Sequence, residues 1–149
     1  MKIRGFEIVS QYRHTQIKLP ERKTSLSAGY DLAAAEAMTI HPQTITVIPT
    51  GLKVYMQPDE YLGIHIRSSL AIKKGLVLIN GQGIIDADYY NNPDNEGHIL
   101  IAVFSHNERP VEVAAGDRIA QGIFYKYLLA DTDHPGQGLR AGGIGSTGK

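Results

Sequence analysis

Apolar and polar side chains alternate with a period of two over much of the chain, the spacing of strands that bury one face. Leu52, Val54 and Met56 alternate with Lys53, Tyr55 and Gln57, and residues 44–48 (TITVI) are β-branched throughout, so both stretches read as strands. Leu62, Ile64 and Ile66 share one face of a third, which puts Gly63, His65 and Arg67 on the other. Residues 99–104 form a continuous apolar run, predicting a strand buried on both sides, and residues 119–128 predict another strand. Turn-forming residues at Pro58-Asp59, Gly81-Gln82-Gly83, Asn91 to Asn95, Pro110 and Gly116-Asp117 divide the chain into short segments. That punctuation predicts an all-β sandwich or barrel. One short helix is expected, with Ser68 or Ser69 as N-cap, residues 70–74 as body and Gly75 just past its end. Four of the last nine residues, 141–149, are Gly, and a tail with so little apolar surface is expected to be mobile on its own.

Composition narrows the class. A chain of 149 residues, 42% hydrophobic and 20% charged, suits one globular domain over 1–149 and is too apolar for a disordered chain. Fifteen basic residues balance fifteen acidic ones, so no overall attraction to nucleic acid or an anionic membrane is expected. The absence of Cys excludes disulfides, thiolate metal sites and cysteine nucleophiles. With no apolar leader and no membrane-length run, a soluble, cytoplasmic protein is expected. The six histidines, at 14, 41, 65, 98, 106 and 134, lack the spacings of a zinc site.

Four stretches could carry chemistry. In Ile66-Arg67-Ser68-Ser69-Leu70-Ala71 a strand runs into a helix start, where Arg67 and two hydroxyls can meet an anion; equally, the serines cap the helix and Arg67 is solvated. In residues 80–89 (NGQGIIDADY) two glycines allow close approach of a flat ligand to the backbone. Asp86 follows two branched apolar residues that can hold a carboxylate against a water; an ordinary β-turn is the alternative. In residues 116–121 (GDRIAQ) a regular strand puts Arg118 and Gln121 on opposite faces, leaving Gln121 for a phosphate oxygen and Arg118 for a structural ion pair with a carboxylate such as Asp31. The tail from Gly143 to Lys149 contains a G-x-x-x-x-G-K string, but a phosphate-binding loop of that kind needs a preceding strand and a following helix, which the pattern does not provide here.

In this order, residues 28–32 (AGYDL), 67–71 (RSSLA), 83–89 (GIIDADY), 116–121 (GDRIAQ) and 142–148 (GGIGSTG) resemble the five motifs of the trimeric deoxyuridine triphosphatase (dUTPase) family. The resemblance implies a distorted jelly-roll-like β-barrel subunit with a flexible arm at 138–149. It further implies a homotrimer whose three sites, at subunit junctions, each draw motifs from all three chains. The arm would order over a neighbour's site when nucleotide binds. The implied reaction is hydrolysis of dUTP to dUMP and pyrophosphate, which limits uracil in DNA and supplies dUMP for thymidylate synthesis. Asp86 would be the general base. Asn80 and the backbone around Gly83, Ile84, Ile85 and Leu100 would read uracil. Tyr89 would stack under the deoxyribose. Arg67, Ser68, Ser69 and Gln121 would hold phosphates, with Arg140, Ile144, Ser146 and Thr147 closing from the arm. Asp31 would contact Mg²⁺ through water.

The chain departs from that pattern in four places. Ile66 stands where Pro is usual, and Ile144 replaces the arm's Phe, removing an aromatic lid. The arm is one residue short between Arg140 and Gly142. The segment Tyr90–Glu96 is longer than the expected turn, so a reshaped hairpin tip is anticipated, with Tyr90 or another aromatic as a substitute lid. Two other readings remain. One is a dCTP deaminase of the same fold, against which residues 86–89 (DADY) argue; the other is a catalytically silent dUTP-binding regulatory trimer.

Overall fold

The computed structural model describes residues 1–136 and 138–143. In chain order they form β1 (Gly5–Ile8), β2 (Tyr30–Ala33), β3 (Met38–Ile40), β4 (Ile45–Pro49), β5 (Leu52–Tyr55), β6 (Glu60–Ile66), α1 (Ser68–Lys74), β7 (Leu76–Leu78), β8 (Gly83–Asp86), β9 (Leu100–Ser105), β10 (Val111–Val113) and β11 (Arg118–Lys126). Two 3-10 turns, Ser10–Tyr12 and Ala87–Tyr89, complete the pattern. Every strand pair is antiparallel. A four-stranded sheet runs β2-β11-β6-β8 and a three-stranded one β4-β9-β7, with β1-β5 and β3-β10 as two-stranded ribbons. The all-β expectation therefore holds, and the short-sheet arrangement is a distorted jelly-roll-like barrel. Among the described residues no helix is long and apolar enough to cross a membrane.

One core joins the sheets, built on Leu32, Ile40, Ile48, Leu62, Ile99, Ile101, Val103 and Ile119. The period-two pattern places Leu62 and Ile64 of β6 inward, as expected. The run 99–104 behaves otherwise. Ile101, Val103 and Ser105 are buried, while Leu100, Ala102 and Phe104 are only half-buried, so the expectation of burial on both faces is corrected. Phe104 lies in register with Ile45 and Val77, and Ala102 with Val47. Ile45, Val47 and Val77 are exposed, so the sheet presents an apolar outer face that its own chain leaves uncovered.

Lys53 departs from the pattern in the other direction. It is buried on β5 because the loop after Tyr89 folds over it, and its ammonium donates to Asn91 Oδ1 (2.6 Å) and Glu96 Oε1 (2.7 Å). A buried ammonium with two partners is tolerated where an unpaired one is not. The helix body starts at Ser68, two residues before the expected Leu70: Arg67 is the N-cap in extended conformation, and neither Ser68 nor Ser69 fills that place. Gly75 ends α1 as expected, with φ 63°, ψ 28°, the left-handed conformation glycine adopts freely.

Candidate functional site

Two clusters of polar side chains lie along the four-stranded sheet. At the first, Gln121 of β11 pairs with Asp31 of β2 on one side and His65 of β6 on the other. The register slips between Arg118 and Ala120, so Arg118 opposes Ala33 while Gln121 opposes Asp31. This bulge corrects the expected geometry: one extra residue rotates Arg118 by half a period, and Arg118 and Gln121 share a face. Arg118 Nη1 donates to Asp31 Oδ2 at 3.3 Å, the ion pair anticipated for it. Ala120 pairs with Ile66, so Arg67 follows directly at this end; its N–H donates to the Ile119 carbonyl (3.2 Å) and its Nη1 to that of Arg118 (3.4 Å). Ser68 and Ser69 open α1 beside it without capping bonds.

The second cluster belongs to the turn from Asn80 and the strand β8 that follows it. Asn80 and Gly81 are exposed in that turn, where Gly81 adopts φ 72°. Gln82 Nε2 lies 3.3 Å from His65 Nε2, which lies 3.1 Å from the Tyr125 hydroxyl. Among the described residues β8 pairs only with β6, which leaves the backbone groups on its far side open to a flat ligand. Ile84 points outward, 58% exposed, while Ile85 packs on the core. Asp86 ends the strand opposite Tyr61, with its side chain 53% exposed.

Beyond Asp86 the chain makes a 3-10 turn to Tyr89, whose ring is buried. The Tyr89 hydroxyl donates to the His98 carbonyl (2.7 Å) and accepts from Asn95 Nδ2 (2.7 Å); burial pushes it above the usual phenol range. The segment 90–96, the long turn noted after Tyr89, is well tied to the rest of the chain. It turns back over β5 and the Ser10–Tyr12 turn, where Ser10 donates through its N–H (3.0 Å) and hydroxyl (2.9 Å) to Glu96. With Lys53 also donating, the Glu96 carboxyl is held down at about 2. Tyr90, named as a substitute lid, is engaged within the chain: its hydroxyl donates to Glu7, and its ring meets Tyr55 edge-on and lies under the Lys53 ammonium. The arm residue Arg140 lies across the base candidate, with Nη2 at 2.7 Å from Asp86 Oδ2 and Nε at 2.6 Å from Asp88 Oδ1.

The structure thus groups Asp31, Arg67, Ser68, Ser69 and Gln121 at one end, and Asp86, Tyr89 and Arg140 at the other, with Asn80, Gly83, Ile84 and Ile85 along the turn and β8. From Ile66 to Tyr61, the β6 residues that mark the two ends, is five strand steps, about 16 Å. Leu100 stands apart at the start of β9, opposite Pro49. Ile144, Ser146 and Thr147 lie outside the described residues. The sequence reading missed Asp88, Asn92, Asn95 and His98. The run of Asn and Asp at 91–95 signalled a turn, but turn composition does not reveal which side chains face inward.

Among the described residues no three His, Cys, Asp or Glu side chains come together as a metal cage. A family model described as dUTPase matches residues 15–148. The chain is 51% identical to the deoxyuridine 5'-triphosphate nucleotidohydrolase of Lactococcus lactis subsp. lactis (strain IL1403), over 99% of each chain. It is 43% identical to that of Desulfitobacterium hafniense (strain DSM 10664 / DCB-2), over 88% of this chain and 87% of the relative. The crystal structure of the dUTPase from Streptococcus mutans superposes with a TM-score of 0.81 at 48% identity, covering 85% of this chain and 98% of the other. A mutant dUTPase from phage phi11 of S. aureus, reported to coordinate a structural Mg(II) ion, shares the fold at 20% identity, with a TM-score of 0.74 over 90% of this chain and 97% of the other.

Proposed function

The chain belongs to the dUTPase family, and from that premise we propose that it hydrolyses dUTP to dUMP and pyrophosphate, with Asp86 aiming a water at the α-phosphorus. The observation that carries the reading is the position of Asp86: a half-exposed carboxylate at the end of an edge strand, one 3-10 turn from the buried Tyr89 ring. Uracil lies along the free edge of β8, where backbone N–H and C=O groups and the Asn80 side chain complement its polar edge, and the deoxyribose rests on Tyr89. The carboxylate accepts a proton from the water as the water attacks, a contribution of about 10²- to 10⁴-fold.

The phosphates are held by Arg67, Ser68, Ser69 and Gln121. Those groups lie about 16 Å along β6 from the level of Asp86, too far for one α-phosphate to meet both within one chain. The site is therefore completed between subunits, and the homotrimer brings one chain's phosphate-binding end to another's β8. The uncovered apolar face of the three-stranded sheet supports burial against further copies. Arg140, Ser146 and Thr147 close over the distal phosphates from the arm, with Ile144 at the position of the lid over the base.

Mg²⁺ fits this donor set as an ion carried on the triphosphate. Asp31 gives one oxygen to Arg118 and would offer the other to the ion through water. When bound, the ion offsets charge on the phosphate oxygens.

Pyrophosphate release from dUTP, dTTP, dCTP and UTP tests the assignment. We expect turnover of dUTP alone, and its loss by about 10²-fold or more in Asp86→Asn with analogue binding retained. Ammonia released from dCTP, or binding of dUTP without turnover by the unmodified chain, overturns it.

A further inference from the structure

His98 is buried between the loop that follows Tyr89 and the bend from β4 to β5, and three of its hydrogen-bonding groups reach three different places. Its N–H donates to the Asn95 carbonyl (3.1 Å), its carbonyl accepts the Tyr89 hydroxyl (2.7 Å) and its Nε2 accepts the Gly51 N–H (2.8 Å). The other partner of the Tyr89 hydroxyl is Asn95, whose Nδ2 donates to it at 2.7 Å. Both groups that fix the phenol end of Tyr89 are therefore tied to His98, one as its own carbonyl and the other through its N–H.

The far anchor is rigid. Gly51 adopts φ 72°, and a Cβ there would run into Ile17 and the Tyr12 ring, so the chain passes with no room to shift. Its carbonyl takes the Val9 N–H (2.9 Å), and Thr50 beside it donates through its N–H (3.3 Å) and its hydroxyl (2.7 Å) to the Ile99 carbonyl. The imidazole meets the Tyr12 ring edge-on with centroids 5.5 Å apart, and the Tyr12 hydroxyl is committed to Glu36. Because Nε2 accepts, the ring is neutral with its proton on Nδ1, and a side chain with no acceptor here leaves the buried Gly51 N–H unpaired.

We propose that His98 is a positioning residue for the nucleotide's sugar: its imidazole, locked on Gly51, fixes the carbonyl that holds the Tyr89 hydroxyl, and so sets the height of the ring on which the deoxyribose rests. The Tyr89 ring hangs from the backbone at one end and from two hydrogen bonds at the other. Releasing the imidazole frees the second end, and a displaced ring meets the sugar less well. Arg67, Ser68, Ser69 and Gln121 take no part in this linkage, so the grip on the phosphates is untouched. This inference rests on the assignment of Tyr89 to the dUTP site.

Steady-state kinetics of the full chain with dUTP, with inorganic triphosphate as a competing inhibitor that has no sugar, tests it. His98→Leu is expected to raise KM for dUTP about tenfold, with kcat within about twofold and triphosphate inhibition unchanged. His98→Gln, whose Oε1 can accept from Gly51 where Nε2 did, is expected to restore KM to within about twofold of the unmodified value. Tyr89→Phe cuts the same link at its other end, so it is expected to raise KM as much, and the double variant no further. Tyr89→Phe also carries the test where His98→Leu fails to fold. An unchanged KM in folded His98→Leu or in Tyr89→Phe overturns the linkage, as does triphosphate inhibition that weakens in step with KM, a KM in His98→Gln as high as in His98→Leu, or losses that add in the double variant. Tyr89→Ala separates the two readings: an unchanged KM there removes Tyr89 from the sugar site, whereas a raised KM beside an unaffected His98→Leu sinks the linkage alone.

Discussion

The turn and edge strand at 80–86 and the loop at 89–98 are neighbours in sequence and opposites in construction. The turn at Asn80-Gly81 is exposed, the outer edge of β8 has no partner strand among the described residues, and Ile84 stands in solvent. The loop closes on itself: Asn92 makes four side-chain hydrogen bonds, Asn95 and Tyr89 are tied together, and Glu96 takes bonds from Lys53 and Ser10. A group that already has its partners contributes order, whereas an unpaired backbone edge contributes recognition. The loop therefore holds Tyr89, and the segment 80–86 keeps the open edge on which the proposed recognition of uracil depends.

Breaking the loop should cost the most stability. Asn92→Ala strips two backbone N–H groups and a carbonyl of their partners in a buried place, and a loss of about 3 kcal/mol in denaturant unfolding is expected. A loss below about 0.5 kcal/mol would show that the network is ornamental.

The pH dependence has two origins with the same sign. His98 Nε2 accepts the Gly51 N–H at 2.8 Å, and burial pushes its pKa below the usual imidazole value, so the folded protein holds it neutral. A depressed histidine contributes its stability fully above its unfolded pKa, about 6.5, and loses it as pH falls through the folded value. Glu96, held at about 2, contributes above the ordinary carboxylate range and loses that contribution as pH falls from about 4.5 toward 2. The denaturant midpoint is expected to fall between pH 7 and 5. His98→Gln keeps an acceptor for Gly51 and should flatten that slope while leaving the acid limb below pH 4.5.

The smallest effect on stability belongs to the open edge strand. Ile84→Ala is expected to change unfolding free energy by less than about 0.5 kcal/mol, because the side chain is 58% exposed, yet to raise KM for dUTP. A large loss of stability there would erase the contrast between the two segments.

Much of this architecture was legible in the order of residues. Period-two alternation located β5 and β6, Gly75 marked the helix end, and residues 83–89 marked the candidate base and its neighbouring tyrosine. The fold class follows from such local features, because side-chain alternation and turn propensity act over a few residues, whereas the candidate chemistry came from the resemblance of five motifs in series. The shared face of Arg118 and Gln121, the burial of Lys53, the commitment of Tyr90 to Glu7 and the seat of Arg140 on Asp86 and Asp88 depend on contacts between distant segments. A one-residue bulge reverses a strand's faces, and a loop folding back can bury a lysine by supplying its counter-charge. Those outcomes depend on which segments meet in three dimensions, and only the tertiary structure decided them.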